Sequence, residues 1–320
     1  MPRAACIGRR PDQHRERLPM WAPFRLRHLR TMLNTVPTSP TSPAPPRTAA
    51  LLTFVLVAFA ANSLVTRYVV ANHLLDAYLL TVVRFVAGAV ALLALTLARR
   101  ERPSLTRANL WPALWLGVYA VCISFGYQHI GAAAGTFVFY ATVLAGLVAH
   151  DLATRTPVPR ARGVGAVVSL AGVGVLTAPG AGDVTALGVL LLAATGAAWA
   201  LYTAAGRTVT DPRAATTGNF TVLAVVLLIP VGFTVTGGPD VTVSGLLLAA
   251  AMGSLTTAFA YVAWYACQRR MSATTAGSVQ LVIPILTAAG AMLLLGERLT
   301  LLFVVAALLV FAGLWIGRPR

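Results

Sequence analysis

Lysine is absent from the 320-residue chain, and acidic residues number only nine. Without lysine no Walker A loop ending in Gly-Lys can form, which excludes the usual ATP-driven pump. The patterns HExxH, GxSxG and CxxC are missing as well, and with them the standard signatures of zinc, serine-nucleophile and thiol redox chemistry. Cysteine is scarce: Cys6, Cys122 and Cys267 are odd in number, and the last two sit in or beside apolar blocks. They do not make a disulfide framework, and each membrane cysteine reads as a small apolar packer. Charge is itself thin, at 11% of residues against about 25% in soluble domains.

What is present is apolar surface. Hydrophobic residues make up 58% of the chain and the mean hydropathy is +0.77. They fall into blocks of about 20 separated by short polar turns, and roughly 20 such residues are what a helix needs to cross the hydrocarbon core. The blocks predict spans near 48–67, 75–98, 110–128, 132–150, 162–178, 184–205, 217–236, 244–265, 273–295 and 300–317. The expectation is an all-α integral membrane protein of ten transmembrane helices; only Tyr127 to Gly131 divides the third span from the fourth.

The formal net charge of +16 could point to nucleic acid, for which a clustered basic face is the footprint. The distribution of the arginines argues for a bilayer instead. All 25 basic residues are Arg, and with the N-terminus inside, the tails and even-numbered turns collect all but three. Arg99, Arg100, Arg102 and Arg107 follow span two, Arg155, Arg160 and Arg162 follow span four, and Arg207, Arg213, Arg269, Arg270, Arg318 and Arg320 continue the pattern. The exceptions are Arg67 and Arg298 on the outer side and Arg84 within span two. This is the positive-inside bias, and it predicts a multi-pass protein of a bacterial cytoplasmic (inner) membrane with both termini cytoplasmic.

Residues 1–47 are rich in Arg and Pro and lack sustained apolar periodicity, so a disordered tail is expected there. No continuous apolar stretch with a cleavage site marks a secretory signal in it, and a start at Met20 or Met32 is an expectation of the same composition. Beyond the tail the chain matches itself. Ala60, Ala61, Leu64 and Thr66 align with Ala197, Ala198, Leu201 and Thr203, and Val164, Ala166, Ala171 and Gly172 align with Val305, Ala307, Ala312 and Gly313. Residues 48–178 and 184–317 are therefore predicted as two five-helix repeats. An odd number of spans per repeat makes the second enter from the opposite side, the inverted arrangement of many secondary transporters, which bind at the midplane between the halves.

Candidate site residues are those whose chemistry is costly or useful at membrane depth. Arg84 falls roughly 13 Å into span two, where it is either a functional group or a structural cation that snorkels or binds backbone carbonyls. Asn62 belongs to a polar cluster with Ser63, Thr66 and Arg67, which reads as a cavity wall or as interhelical hydrogen bonding. Tyr127, Gln128, Tyr140, Trp199, Tyr202, Tyr261, Trp264 and Gln280 spread aromatic and amide groups over several spans, either as cavity walls or as interfacial belts. Pro284 removes a backbone donor in span nine and either opens a cavity wall or bends the helix. His73 with Asp76 and His150 with Asp151 read as proton-relay pairs or as solvated charge. Gly131 with Gly135, and Gly172 with Gly174, predict close helix packing.

Gln280 to Thr300, reading QLVIPILTAAGAMLLLGERLT, followed by a span ending FAGLWIG, resembles the drug/metabolite transporter superfamily, and within it the EamA-like ten-helix members. Arg84 in VVRFVAGAV resembles an Arg often found in that family's second helix. The resemblance covers about residues 48–317. The first repeat departs from the pattern, with Val143 in the register of Pro284, Arg155-Thr156 in that of Gly296-Glu297, and Ala60-Ala61 where a Trp-Gly pair is common. The resemblance implies a secondary carrier that alternates access and often exports amino acids or other metabolites. Glu297 reads as a structural residue, pairing Arg298 or capping a helix end.

The expected function is thus a secondary transporter, an exporter of a small organic metabolite, amino acid-like or drug-like. The expected partners are that solute, the lipid bilayer and a proton as coupling candidate, with no nucleic acid, no metal and no cofactor. The rival readings are an intramembrane enzyme, which needs clustered acidic, His or Ser groups at one depth, and a non-transporting scaffold or receptor.

Overall fold

The computed structural model describes residues 46–101, 103, 105–176, 184–206, 209–231, 240–268, 279–280, 282–298 and 300–317. Nearly all of the expected tail over 1–47 lies outside them, with Met20, Met32 and Cys6, and so do Arg102, Arg207, Arg269, Arg270, Arg318 and Arg320. Among the described residues the secondary structure is helical, and two isolated bridges, Leu75 to Val241 and Ile130 to Val184, take the place of any strand.

The helices are α1 (Pro46–Ala71), α2 (Ala77–Ala98), α3 (Leu110–His129), α4 (Ala132–Ala153), α5 (Arg160–Leu176), α6 (Ala186–Gly206) and α7 (Pro212–Leu228). They continue with α8 (Val243–Ala251), a π-helical segment (Met252–Phe259), α9 (Ala260–Gln268), α10 (Val282–Leu294) and α11 (Leu301–Ile316). Among the described residues six helices are long and apolar enough to cross a membrane by length and composition, at Ala49–Ala71, Ala77–Ala98, Arg107–His129, Ala132–Ala153, Ala186–Gly206 and Val243–Cys267. Helix is the form in which such segments satisfy every backbone group without water.

Short polar residues set where the helices begin. Asp76 accepts from the amides of Tyr78 and Leu79 and starts α2. Asp211 does the same for Arg213 and Ala214, with Pro212 at the first helical position, so α7 begins five residues before the expected 217. Thr242 and Thr300 cap α8 and α11 through the amides of Gly245 and Phe303. Each hydroxyl or carboxylate occupies an N–H that the first helical turn leaves without a partner. Between α3 and α4 the break is shorter than the Tyr127 to Gly131 turn read from the sequence: α3 runs through His129, and only extended Ile130 and Gly131 separate the helices.

Packing is tightest where side chains vanish. α11 lies on α5, where a Cβ on Gly172 would come within 2.8 Å of the Ala306 carbonyl. At Gly174, expected in the same ridge, an added Cβ would meet no atom within 4 Å, so the close approach rests on Gly172 and on Gly165 two turns earlier, where a Cβ would meet the Gly313 carbonyl. α6 packs on both α3 and α4. The apolar residues left on the outside, among them Val167, Leu190, Leu247, Leu293 and Leu301, are broadly exposed, as expected of a surface that meets lipid rather than water.

Candidate functional site

The centre of the bundle is aromatic. Phe59, Asn62 and Ser63 of α1, Tyr119 and Ile123 of α3, Phe139 and Tyr140 of α4, Trp199 of α6 and Tyr261 of α9 surround one cavity. The void leaves ≈ 20 Å³ of room for water centres, enough for one ordered water and no organic solute. Edge-on contacts hold the walls: Phe59 lies 6.0 Å from Trp199 and 5.7 Å from Tyr261, and Trp199 lies 5.0 Å from Tyr261 between ring centroids. Such offset and edge-to-face pairs each contribute about 0.5–1.5 kcal/mol beyond area burial.

A polar seam runs beside these rings. Asn62 donates from Nδ2 to the Tyr119 hydroxyl at 3.3 Å, and its Oδ1 accepts from the Thr257 hydroxyl at 3.3 Å. Thr66 donates to the Asn62 carbonyl at 2.6 Å. Thr257 lies in the π-helical segment, a wide turn of a kind that recurs at functional sites. That segment is drawn onto α2 by Gly253, whose missing Cβ would collide with the Arg84 carbonyl. The Asn62 seam thus ties α1, α3 and the π segment together around the cavity.

Arg84 is fully buried, and its Nε, Nη1 and Nη2 have no hydrogen-bond partner among the described residues. Its guanidinium carbon sits 4.7 Å from the Phe85 ring centroid and 5.6 Å from that of Tyr119. The rings offset part of the charge's desolvation through their quadrupoles. The carbonyl ligation and the snorkelling open to Arg84 in the sequence are not what this arrangement presents.

The other expected site residues divide. Asn62, Tyr140, Trp199 and Tyr261 line the cavity. Trp264 and Tyr202 stand one ring back, 6.1 Å from Phe59 and 5.5 Å from Trp199. Tyr127 is buried directly behind the lining, beside Ser63, with its hydroxyl 3.1 Å from that of Thr136. Gln128 is exposed near the end of α3, Gln280 is half-buried, and Pro284 is buried in the first turn of α10; none of the three is in the lining. Phe59, Tyr119 and Phe139 were not singled out in the sequence, because one aromatic among many in an apolar block carries no signal of its own.

Contacts between distant parts of the chain join the helices at both ends of α3. At the end formed by the C-terminus of α3 and the start of α4, the Glu297 carboxylate accepts from the Ala132 and Ala133 amides at 2.6 and 3.1 Å and lies 3.8 Å from Arg67 Nε. Arg67 also donates to the Tyr127 carbonyl at 2.7 Å. Glu297 therefore caps a helix end, with Arg67 as its cation. At the opposite end Asn109 donates to Asn219 Oδ1 at 2.9 Å, and Arg213 pairs with Glu101 at 2.6 Å. His73 pairs with Asp240 in an exposed position, and Asp151 is held by Arg162 at 2.8 Å and His150 at 3.5 Å. Among the described residues no three His, Cys, Asp or Glu side chains gather as a metal-ligand set.

Apolar helices of spanning length around a buried aromatic and polar centre define a multi-pass membrane protein. Residues 186–317 match the model of the EamA-like transporter family. An uncharacterized protein of Pseudomonas aeruginosa is 33% identical over 270 residues, covering 84% of this chain and 93% of that one. An uncharacterized transporter of Archaeoglobus fulgidus is 26% identical over 206 residues, covering 63% and 73%. A crystal structure at 19% identity superposes with a TM-score of 0.58, covering 83% of this chain and 97% of its own, a likeness of fold. The chain belongs to the EamA-like transporter family, part of the drug/metabolite transporter superfamily, and is a membrane transporter in the general sense of that family.

Proposed function

We propose that the protein is a secondary transporter of the bacterial cytoplasmic membrane that exports a small organic metabolite, amino acid-like or drug-like, by alternating access. The reading takes the helices as ten spans in two inverted five-helix repeats, 48–178 and 184–317, with both termini cytoplasmic. The family match over 186–317 supports the second of these. On that orientation the Arg67 and Glu297 closure is outer, and the Asn109 with Asn219 and Arg213 with Glu101 closure is inner.

The observation that carries the proposal is a central aromatic cavity too small for solute, in a bundle whose two ends are joined by contacts between residues far apart in the chain. Such a cavity is what a carrier with its solute site collapsed would have, and the contacts at the bundle ends are the ones that alternating access would break in turn. Opening the inner end breaks the buried Asn109 to Asn219 hydrogen bond and the partly exposed Arg213 to Glu101 pair, each worth about 1 kcal/mol. Solute entry then requires Phe59, Trp199 and Tyr261 to part.

The test is flux in proteoliposomes against a broad metabolite panel, for the wild type and for Arg84→Ala. Solute-dependent flux that Arg84→Ala reduces supports the proposal. No flux of any solute, with Arg84→Ala indistinguishable from wild type in cells, contradicts it.

A further inference from the structure

The buried arginine is the strongest unexplained feature of the molecule. Its three nitrogens hydrogen-bond to nothing among the described residues, and its surroundings are aromatic. A cation in such a place needs an anion or well-placed acceptors. The described acidic residues are all committed elsewhere: Asp76 and Asp211 to helix amides, Glu101 to Arg213, Asp151 to Arg162, Asp240 to His73 and Glu297 to Arg67 and α4. The counter-anion is not among them.

We propose that the transported solute supplies it: an apolar or aromatic monocarboxylate whose carboxylate is received by the Arg84 guanidinium. The inference rests on the transporter reading above. The guanidinium packs on Tyr119, whose ring lines the cavity and whose hydroxyl already accepts from Asn62. A ligand that parts the cavity walls therefore meets Arg84 beside Tyr119. One planar fork of N–H donors matches one carboxylate in a bidentate pair, and the rings of Phe59, Trp199 and Tyr261 supply a wall for an apolar body. No acidic side chain lines the cavity to receive an ammonium, so the site favours an organic acid over its zwitterionic amino-acid counterpart. The same rings leave a neutral amide without the charge-assisted pair.

The test uses quenching of tryptophan fluorescence in the purified full-length protein, titrated with benzoate, phenylacetate and 3-phenylpropionate and with the neutral amide of each. The expected result is that at least one acid binds roughly 10-fold to 100-fold tighter than its amide, that phenylalanine binds more weakly than 3-phenylpropionate, and that Arg84→Met removes the acid-over-amide preference while amide binding stays. Equal binding of acids and amides by the wild type, or an unchanged preference in Arg84→Met, overturns the proposal. Should Arg84→Met fail to fold, the wild-type comparison decides alone. Flux of neutral or cationic solutes without acid preference sinks this inference and leaves the transporter reading standing. Acid-selective binding with no flux of any solute leaves the carboxylate site at Arg84 standing and overturns the transporter reading.

Discussion

Glu297 accepts a hydrogen bond of 2.6 Å from the backbone amide of Ala132, a residue 165 positions earlier in the chain. A side chain from the turn before α11 thus caps the N-terminus of α4, where orphan N–H groups and the helix dipole favour a negative charge. Gly296 makes the reach feasible, because its φ of 67° turns the chain at the end of α10 in a conformation that costs glycine little.

Replacing Glu297 by Gln keeps the size of the side chain and removes its charge. The capping amides and Arg67 then lose their anion, and the expected cost is about 1 kcal/mol. The measurement is the thermal unfolding midpoint in detergent: Glu297→Gln falls below the wild type, and Arg67→Gln costs less in the Glu297→Gln background than in the wild type, what remains being the lost donor to the Tyr127 carbonyl. Full additivity of the two changes contradicts the shared closure.

Gly253 gives a second expectation. A Cβ there meets the backbone carbonyl of Arg84, and backbone on both sides cannot yield as a flexible side chain would. Gly253→Ala should cost on the order of 1–3 kcal/mol through overpacking and push α2 off the π segment. Gly163, with no atom within 4 Å of its added Cβ, is the control, and Gly163→Ala should match or slightly exceed wild-type stability. Equal stabilities for the two variants, read from the same thermal melts, count against the close approach.

Much of the helix layout was legible because apolar blocks bounded by Asp, Thr, Gly and Arg leave a helix no alternative in lipid. The start of α7 lies at Pro212 rather than 217 because the Asp211 cap and a proline in the first turn begin the helix, signals that hydropathy does not weigh. The π segment was invisible: its backbone follows from the fit of Gly253 against α2, which no local composition encodes. Asn62, Tyr140, Trp199 and Tyr261 were singled out as polar or aromatic groups at depth and do meet at one cavity. Phe59 and Phe139, equally part of it, could not be separated from lipid-facing aromatics, since helices apolar all round hide which face is inside. The pairing of Arg67 with Glu297 joins residues far apart in sequence, and the nearer Arg298 was the obvious guess.

The contact between Asn109 and Asn219, 2.9 Å between the start of α3 and α7 at the end of the bundle opposite Glu297, gives the most direct test of alternating access. Asn109→Cys with Asn219→Cys, in a background with Cys6, Cys122 and Cys267 replaced by Ser or Ala, places two thiols where that closure must open. The measurement is solute counterflow in proteoliposomes before oxidation, after it, and after reduction. The account predicts flux in the reduced protein, its loss when the thiols are joined, and its return on reduction. Undiminished flux through protein whose cross-link is complete would contradict it.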